Sequence, residues 1–400
     1  MANSLLTIDM ITNAALAIAH EKASFIGTIN REFDSSFGKS DGKIGDTLRI
    51  RKPSQYVRRT GSRVMDVQDA AEQSTTLVTA TQDGVDMRFN SRELALDLEN
   101  FTKIHLEPAM AVMISGIESD VLQGCMKSVY QVAGTAGTPP TDLAAVGAAR
   151  AKLNQQLAPK DGNRYVQLDS VTMGGLVNGL KGLFQDSAQI KEQYREGMIG
   201  RTGMADWYEN ERVWSMTNNS DVTSVTLDTY TVVEADSTIT VTGFATPEVG
   251  QVFTIAGVYD CHPETKAAYS HLKQFTILAG STATALNISP TIYLTGARKN
   301  VASSTGGTAA PSTTAALVFV GAASLVYPQG LMYHKDAFTF ATAELPLMAD
   351  AAKCVVKTYD GLSIRVWQAS DIRNDELLTR IDMLYGYAAI RSEWASRIIS

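Results

Sequence analysis

The chain has 400 residues, which exceeds the roughly 250–300 residues at which a single core stops growing, so we expect two or more folding units. Hydrophobic residues make up 44% and charged residues only 19%, a composition that excludes a disordered chain. The net charge of −7 argues against a protein that binds nucleic-acid phosphates over a broad surface.

The N-terminal segment shows a helical spacing of apolar residues at Leu5, Ile8, Ile11, Ala15 and Ile18. No basic run precedes them and no small-residue cleavage site follows, so we do not expect a signal peptide. The chain also has no uncharged apolar run of about 18 residues, which excludes a membrane-spanning helix. These features predict a soluble protein made inside the cell, beginning with an amphipathic helix.

A glycine- and charge-rich stretch, Gly38–Asp46, follows and predicts a mobile arm. After it comes an unusually basic segment with the alternation of a strand at 48–51, and a second candidate strand lies at Thr75–Thr81. Two strands with charged ends predict an extended hairpin, which is either a solvated tip or a contact with another subunit. The basic residues of this hairpin are Arg49, Arg51, Lys52, Arg58, Arg59 and Arg63.

The strongest helix pattern of the chain lies between Leu98 and Tyr130, with Pro108 in its first turn. Its apolar stripe, which predicts one buried face, consists of Met110, Met113, Ile114, Ile117, Val121, Cys125 and Val129. A second helix is predicted from Thr141–Asp142 to Pro159. A short strand at Tyr165–Leu168 and a glycine-rich helix at Met173–Phe184 follow it.

The character of the chain changes near Asn218. Only ten charged residues lie between Val222 and Leu317, and short alternating runs recur there at the spacing of turns. These runs predict an all-β sandwich or small barrel, and the Ser/Thr/Gly/Ala-rich stretch Ala302–Ala316 predicts a linker. Because α/β material flanks this segment on both sides, we expect it to be an insertion in a host fold.

Catalytic and cofactor signatures are missing from the sequence: no phosphate loop, nucleophile elbow, zinc-helix or dinucleotide motif is present. Cys125, Cys261 and Cys354 form no metal or disulfide pattern, which favours a reducing compartment. Cys261, His262 and His271 fall short of the spacing that a zinc site needs. Isolated carboxylates such as Asp169, Asp186 and Glu192 are most simply surface groups, so we expect no catalytic, metal or cofactor site.

Several stretches carry a resemblance to a known family. They are Glu192–Arg201, Glu248–Val258, Lys299–Val301, Asp360–Arg365 and Arg380–Gly386. In this order they resemble the major capsid proteins of tailed bacteriophages with the Hong Kong 97-like fold. In particular they resemble the branch with an inserted β-domain, typified by the coat protein of the Salmonella short-tailed phage.

The resemblance implies an α+β capsid fold with an arm, an extended loop, a spine helix, peripheral and axial domains, and an inserted β-barrel. The implied layout is an N-terminal arm at 1–40, an extended loop with flanking strands at 41–92, the spine helix and peripheral domain at 93–135, the first part of the axial domain at 136–220, the inserted barrel at 221–316, the axial return and hinge at 317–355, and a C-terminal peripheral region at 356–400.

On this resemblance the protein is a non-enzymatic shell subunit that forms hexamers and pentamers of an icosahedral virion head. The extended-loop residues Arg49, Arg51, Lys52, Arg58, Arg59, Arg63 and Asp66 would contact the adjacent subunit, and Met110, Ile114, Ile117 and Val121 would form the core face of the spine helix. Implied partners are a separate scaffolding protein, a portal protein at one vertex, and double-stranded DNA enclosed without sequence-specific binding, with assembly in the host cytoplasm and no membrane.

Three other functions remain open from the sequence alone. An encapsulin-like compartment shell would share the fold, although the inserted β-domain stands against it. A β-rich glycan-binding module belongs to a different class, and the missing signal peptide stands against it. A hydrolase would require a nucleophile–base pair that the sequence does not display.

Overall fold

The computed structural model describes most of the chain. The described residues are 8–31, 47–61, 65, 67, 72–90, 105–180, 201–229, 232–309, 311–347, 353–359 and 361–400. The segment Gly38–Asp46 and the residues Arg63, Asp66, Asp186 and Glu192 lie outside them.

The fold is of the α+β class, rich in strands, and divides into two compact units, as the chain length predicts. The first unit contains Met1–Ile50, Thr75–Val121 and Phe338–Ile390. The second contains Arg51–Ser74, Leu122–Ala337 and Arg391–Ser400.

Five α-helices lie in the described residues. They are α1 (Ile8–Lys22), α2 (Ser24–Thr28), α3 (Glu107–Lys127), α4 (Ala144–Gln155) and α5 (Ser170–Leu180). The predicted stripe of α3 is buried, and Met110, Ile114, Ile117 and Val121 are each at most 1% exposed. Asp142 Oδ1 accepts a hydrogen bond from the Ala144 amide at 2.9 Å, which explains why α4 begins just after the predicted Thr141–Asp142 start.

The predicted hairpin is confirmed as a two-stranded sheet of β1 (Thr47–Lys52) and β2 (Gln73–Val78). The next strand, β3 (Thr81–Asn90), belongs to the five-stranded sheet of the first unit. Its other strands are β17 (Phe338–Ala343), β18 (Lys353–Tyr359), β19 (Leu362–Asp371) and β20 (Glu376–Ala389), in the order β17-β20-β19-β18, with β3 also paired to β20. All of these pairs are antiparallel.

The second unit contains a seven-stranded sheet. Its strands are β4 (Val132–Gly134), β5 (Arg164–Leu168), β6 (Arg201–Thr202), β7 (Ala205–Glu209), β8 (Ser215–Thr217), β16 (Val326–His334) and β21 (Ala395–Ile399), in the order β4-β21-β16-β5-β7-β6, with β8 paired to β16. Val146, Leu153 and Leu176 of α4 and α5 form a buried core with Val166 and Ile398 of the sheet.

The C-terminal strand differs from the expectation that 356–400 forms one region. Strand β21 lies between β4 and β16, and Arg391–Ser400 belongs to the second unit, whereas β18, β19 and β20 belong to the first. All five residues of β21 are buried, as suits an internal strand.

The β-rich segment forms the second sheet of this unit. Its strands are β9 (Thr226–Leu227), β10 (Asp236–Thr242), β11 (Val252–Cys261), β12 (Ala268–Ile277), β13 (Ala285–Ile292), β14 (Val301–Ala302) and β15 (Leu317–Phe319). The pairings run β9-β10-β13-β12-β11-β15, and a bridge between Thr226 and Ala316 joins the two ends. The strands therefore close into a small barrel around a buried aliphatic and aromatic core.

The barrel extends further along the chain than expected. Leu317 and Phe319 pair with β11 and lie in the barrel core, although the sequence placed them after the insertion. The strands on either side of the barrel are partners, because Thr217 of β8 pairs with Val326 of β16. The whole barrel thus occupies the position of a loop between two paired strands.

In the part of the chain that the structure describes, no helix is long and apolar enough to cross a membrane. The same residues contain no group of three or more His, Cys, Asp or Glu side chains placed to hold a metal ion. His262 Nδ1 accepts the Glu264 amide at 3.1 Å, and Asp169 Oδ2 accepts the Thr172 amide at 3.1 Å near the start of α5. These side chains therefore stabilise local backbone.

Candidate functional site

The root of the β1–β2 hairpin is anchored by apolar contacts in the first unit. Ile50 and Leu77 form a buried cluster with Ala341 of β17 and with Ile390. Each strand of the hairpin contributes one inward apolar residue there, since Ile50 and Leu77 are the buried positions of their strands. A side chain at Gly386 would collide with the carbonyl oxygen of Val78, so β20 and the end of β2 approach closely only because this residue is glycine.

Five of the six basic residues predicted on the hairpin lie among the described residues. Arg49, Arg51, Arg58 and Arg59 are exposed, and Lys52 is half-buried. Arg51 Nη1 lies 3.5 Å from Oε2 of Glu72, the residue just before the opposite strand, and both side chains are more than half exposed. Such a pair contributes about 0–1 kcal/mol, so it leaves the hairpin free to exchange partners.

The hairpin also presents apolar side chains that the sequence interpretation missed. Tyr56, Met65 and Val67 are 59%, 81% and 77% exposed. Their signal was available in the sequence, because large apolar residues are unexpected inside a strongly polar loop. Exposed aromatic and methionine side chains flanked by arginine match the composition of protein interfaces.

Two carboxylates of α3 fix the first unit around this helix. Glu118 is fully buried, and its Oε1 accepts hydrogen bonds from Ser24 Oγ and the Phe25 amide, each at 2.7 Å. Asp120 Oδ2 accepts a hydrogen bond from Tyr385 Oη at 2.8 Å. Burial, together with this carboxylate, raises the pKa of Tyr385 far above its ordinary value, so the phenol stays protonated.

A buried polar seam joins the barrel to the sheet of the second unit. Lys152 of α4 donates to the carbonyl oxygen of Val132 at 2.6 Å and also to Gln274 Oε1 of β12. Burial lowers the pKa of Lys152 to about 8, although the carboxylate of Asp260 acts in the opposite direction. The Val132 amide donates to the same Gln274 oxygen at 3.0 Å.

Asp260 of β11 is the acidic centre of this seam. Its Oδ1 accepts from Lys273 Nζ at 2.8 Å, and its Oδ2 accepts from Gln156 Nε2 at 3.2 Å. Burial acts to raise the pKa of Asp260, but the Lys273 ammonium and the hydrogen bonds outweigh it, so that pKa lies below its ordinary value. His271 Nε2 lies 3.6 Å from Asp260 Oδ2, so this histidine belongs to the seam. Burial raises the pKa of the neighbouring Tyr130 to about 12.

Comparison with solved structures shows similarity at low sequence identity. A structure from Mycobacterium phage Che8 is 11% identical, with 94% of this chain and 90% of that chain covered and a TM-score of 0.49. The capsid of Ralstonia phage GP4 is 8% identical, with 95% and 91% covered and a TM-score of 0.47. A virus-like particle from Pyrococcus furiosus is 6% identical, with 98% of both chains covered and a TM-score of 0.41.

No curated protein matches the chain. The family model described as P22 coat protein, gene protein 5, matches residues 39–396. This match spans most of the chain, including the hairpin, α3, the barrel and most of the other sheet of the second unit. The chain therefore belongs to the P22 coat protein family, and it is a major capsid protein.

Proposed function

We propose that this capsid protein forms the hexamers and pentamers of an icosahedral phage head, with the β1–β2 hairpin as the contact between neighbouring subunits. The observation that carries the proposal is the combination of exposed arginines with exposed Tyr56, Met65 and Val67 on one two-stranded hairpin. An isolated two-stranded hairpin is only marginally stable in water, so a long one needs a further surface to rest on. A neighbouring copy of the chain supplies that surface in a shell.

The hairpin combines two kinds of interaction. Exposed arginines such as Arg58 and Arg59 select an acidic partner surface and set the register of the contact, while each pair contributes little energy. The apolar side chains of Tyr56 and Met65 contribute affinity when the contact removes them from water. Asp66 and Arg63, which belong to the same proposed contact, lie outside the described residues.

We further propose the domain layout that the resemblance implies, with two changes. The barrel runs from 221 to 319, because Leu317–Phe319 forms one of its strands. The arm at 1–40, the extended loop at 41–92 and the spine helix at 93–135 keep their proposed limits. The axial return then begins after Phe319, and the C-terminal peripheral region ends before β21.

The proposed partners are a scaffolding protein, a portal at one vertex and the double-stranded DNA genome, with assembly in the host cytoplasm. The acidic chain, with a net charge of −7, suits a shell that encloses DNA without binding it tightly. We also propose that the subunit has no enzymatic activity. The encapsulin-like alternative is less supported, since the family match is to a phage coat protein.

Negative-stain electron microscopy of the purified protein, expressed with and without the neighbouring scaffolding gene, tests the proposal. Closed angular shells with the scaffolding gene, and aberrant or absent shells without it, are the expected result. A small oligomer under both conditions would contradict a shell-forming subunit. Closed shells that contain protein cargo and no genome would favour the encapsulin-like compartment.

A further inference from the structure

The C-terminal end of α3 is held by groups from outside the helix. The carbonyl oxygens of a last helical turn have no partner within the helix. The carbonyl oxygen of Lys127, the last residue of α3, accepts hydrogen bonds from Thr276 Oγ1 of β12 at 3.2 Å and from Arg397 Nη2 of β21 at 3.3 Å. The barrel and the C-terminal strand therefore both cap the long helix.

Arg397 is the centre of this arrangement. Its side chain is 1% exposed, and Nη1 donates to the carbonyl oxygen of Gly250 at 2.6 Å and to Gln329 Oε1 at 3.1 Å. Among the described residues the acceptors of its hydrogen bonds are all uncharged oxygens, and none of them is a carboxylate. The partial negative charge at the end of a helix favours a cation there, so the helix end takes part of the role of a counter-ion.

An aromatic ring and a glycine complete the arrangement. Lys127 Nζ lies 5.2 Å and Arg397 Cζ 5.6 Å from the centre of the Trp214 ring, so two cations contact one indole. Gly250 has φ +96°, and a Cβ there would lie 2.6 Å from Trp214 Cη2 and 3.1 Å from Lys127 Cγ. Only glycine permits the β10–β11 connection of the barrel to approach the helix this closely.

We propose that Lys127, Trp214, Gly250, Thr276 and Arg397 form a root clamp through which the barrel keeps the end of α3 folded. In this arrangement the barrel stabilises the long helix directly, and Arg397 is a positioning residue that holds helix, barrel and sheet together. The inference concerns the single subunit, so it stands or falls independently of the proposed role in a shell.

Hydrogen exchange of the full chain, read by mass spectrometry, tests the root clamp. Thr276→Val removes the cap from the barrel side, and Arg397→Met removes it from the β21 side. We expect the peptide covering residues 122–131 to exchange about fivefold faster in Thr276→Val, the size of a typical helix-cap effect, and about tenfold faster in Arg397→Met. Peptides from the barrel core around Phe253 should keep their wild-type exchange.

Arg164→Met is the matched control. Arg164 is also 1% exposed, and its guanidinium donates to the carbonyl oxygens of Ala158 and Pro159 and to Asn154 Oδ1, all outside the barrel. This variant should accelerate exchange around residues 154–164 and leave 122–131 unchanged.

Equal acceleration of 122–131 in the control would show general destabilisation and overturn the proposal. Wild-type exchange of 122–131 in Thr276→Val would also overturn it. If Arg397→Met does not fold, Thr276→Val alone decides, because that change leaves the buried charge in place.

Discussion

Reversing the charges of Arg58 and Arg59 separates assembly from folding. Both side chains are exposed on the distal hairpin, and exposed substitutions usually change the free energy of unfolding by no more than about 0.5 kcal/mol. The variant Arg58→Glu/Arg59→Glu should therefore fold like the wild type. Its shells should be reduced in yield or misassembled.

The size of the assembly defect follows from the exposure of the hairpin. Each exposed ion pair contributes about 0.2–1 kcal/mol, and reversal replaces attraction with repulsion of similar size. Two reversed arginines therefore weaken each contact by about 1–4 kcal/mol, which is about 5- to 1,000-fold in its equilibrium constant. The effect should shrink as salt rises, because the Debye length falls from about 30 Å at 0.01 M to about 3 Å at 1 M.

Sedimentation velocity and electron microscopy across a salt series measure this defect, and circular dichroism reports folding. Lys160→Glu/Arg373→Glu is the matched control, because it makes the same change of charge at two exposed residues away from the hairpin. Wild-type shells from the hairpin variant at low salt would show that Arg58 and Arg59 do not contribute to the contact between subunits. An equal defect in the control would show that net charge, and not the hairpin, governs assembly.

Three further predictions concern stability. Leu77→Ala should lower the free energy of unfolding by about 2–3 kcal/mol, the low end for a buried leucine because its cluster is small, and should expose the hairpin to protease. Asp382→Asn should lower the free energy of unfolding, measured by urea denaturation, by about 3–5 kcal/mol. Arg365 Nη2 lies 2.6 Å from the Asp382 carboxylate, so the change leaves a buried cation without its anionic partner. Arg380 also pairs with the Asp382 carboxylate, but its side chain is 48% exposed. Arg380→Gln should therefore lower the free energy of unfolding by less than about 1 kcal/mol. The unfolding free energy of unassembled subunits should rise between pH 8 and about 9.5, and Lys152→Met should remove this rise.

The sign of the pH effect follows from proton linkage. The folded state loses the Lys152 proton at a pKa of about 8, whereas the unfolded state keeps it up to 10.5, so the unfolded state binds more protons between these values. Stability then increases with pH in that window. Other titratable groups face Lys152, namely Asp260, Lys273, Tyr130 and His271. The contribution of Lys152 is therefore read from the difference between the stability curves of the wild type and the variant.

Each of these predictions has a clear contrary result. A protease pattern in Leu77→Ala equal to that of wild type would show that the root cluster does not hold the hairpin. Equal losses in the Asp382 and Arg380 variants would mean that exposure does not decide the strength of these ion pairs. If the free energy of unfolding of the wild type stays flat or falls between pH 8 and 9.5, burial does not lower the pKa of Lys152.

Elements with a strong local period could be predicted from the sequence. The stripe of α3 repeats at helical spacing and is buried, and β10 of the barrel alternates between buried and exposed residues in its second half. Strand β3 could not be predicted in this way, since Gly84 interrupts the alternation and its partner β20 lies almost 300 residues further along the chain. Strand β21 is buried on both faces and shows no alternation, so the sequence gives no sign that it pairs with β4 and β16.

The charged residues of the proposed hairpin contact could be predicted from the sequence, but its exposed apolar residues could not. Arg58 and Arg59 stand out in a chain with only 19% charged residues, whereas the exposure of Tyr56 and Met65 depends on the conformation of the hairpin. No sequence pattern pointed to Arg397, because the four oxygens that accept its hydrogen bonds lie in four separate stretches of the chain. A buried arginine held by backbone oxygens is a tertiary feature, and it is visible only once helix, barrel and sheet are assembled.

Because Thr217 and Val326 are paired neighbours, the host sheet accommodates the barrel as it would accommodate a tight turn. A gene that gained or lost the barrel would not need to cut a strand or move a sheet edge, which makes the barrel an exchangeable cassette. A foreign domain whose ends lie as close together could be grafted at the same junction to display a binding module on the subunit. Such a graft would have to bring its own hydroxyl or amide to the end of α3, since Thr276 leaves with the barrel.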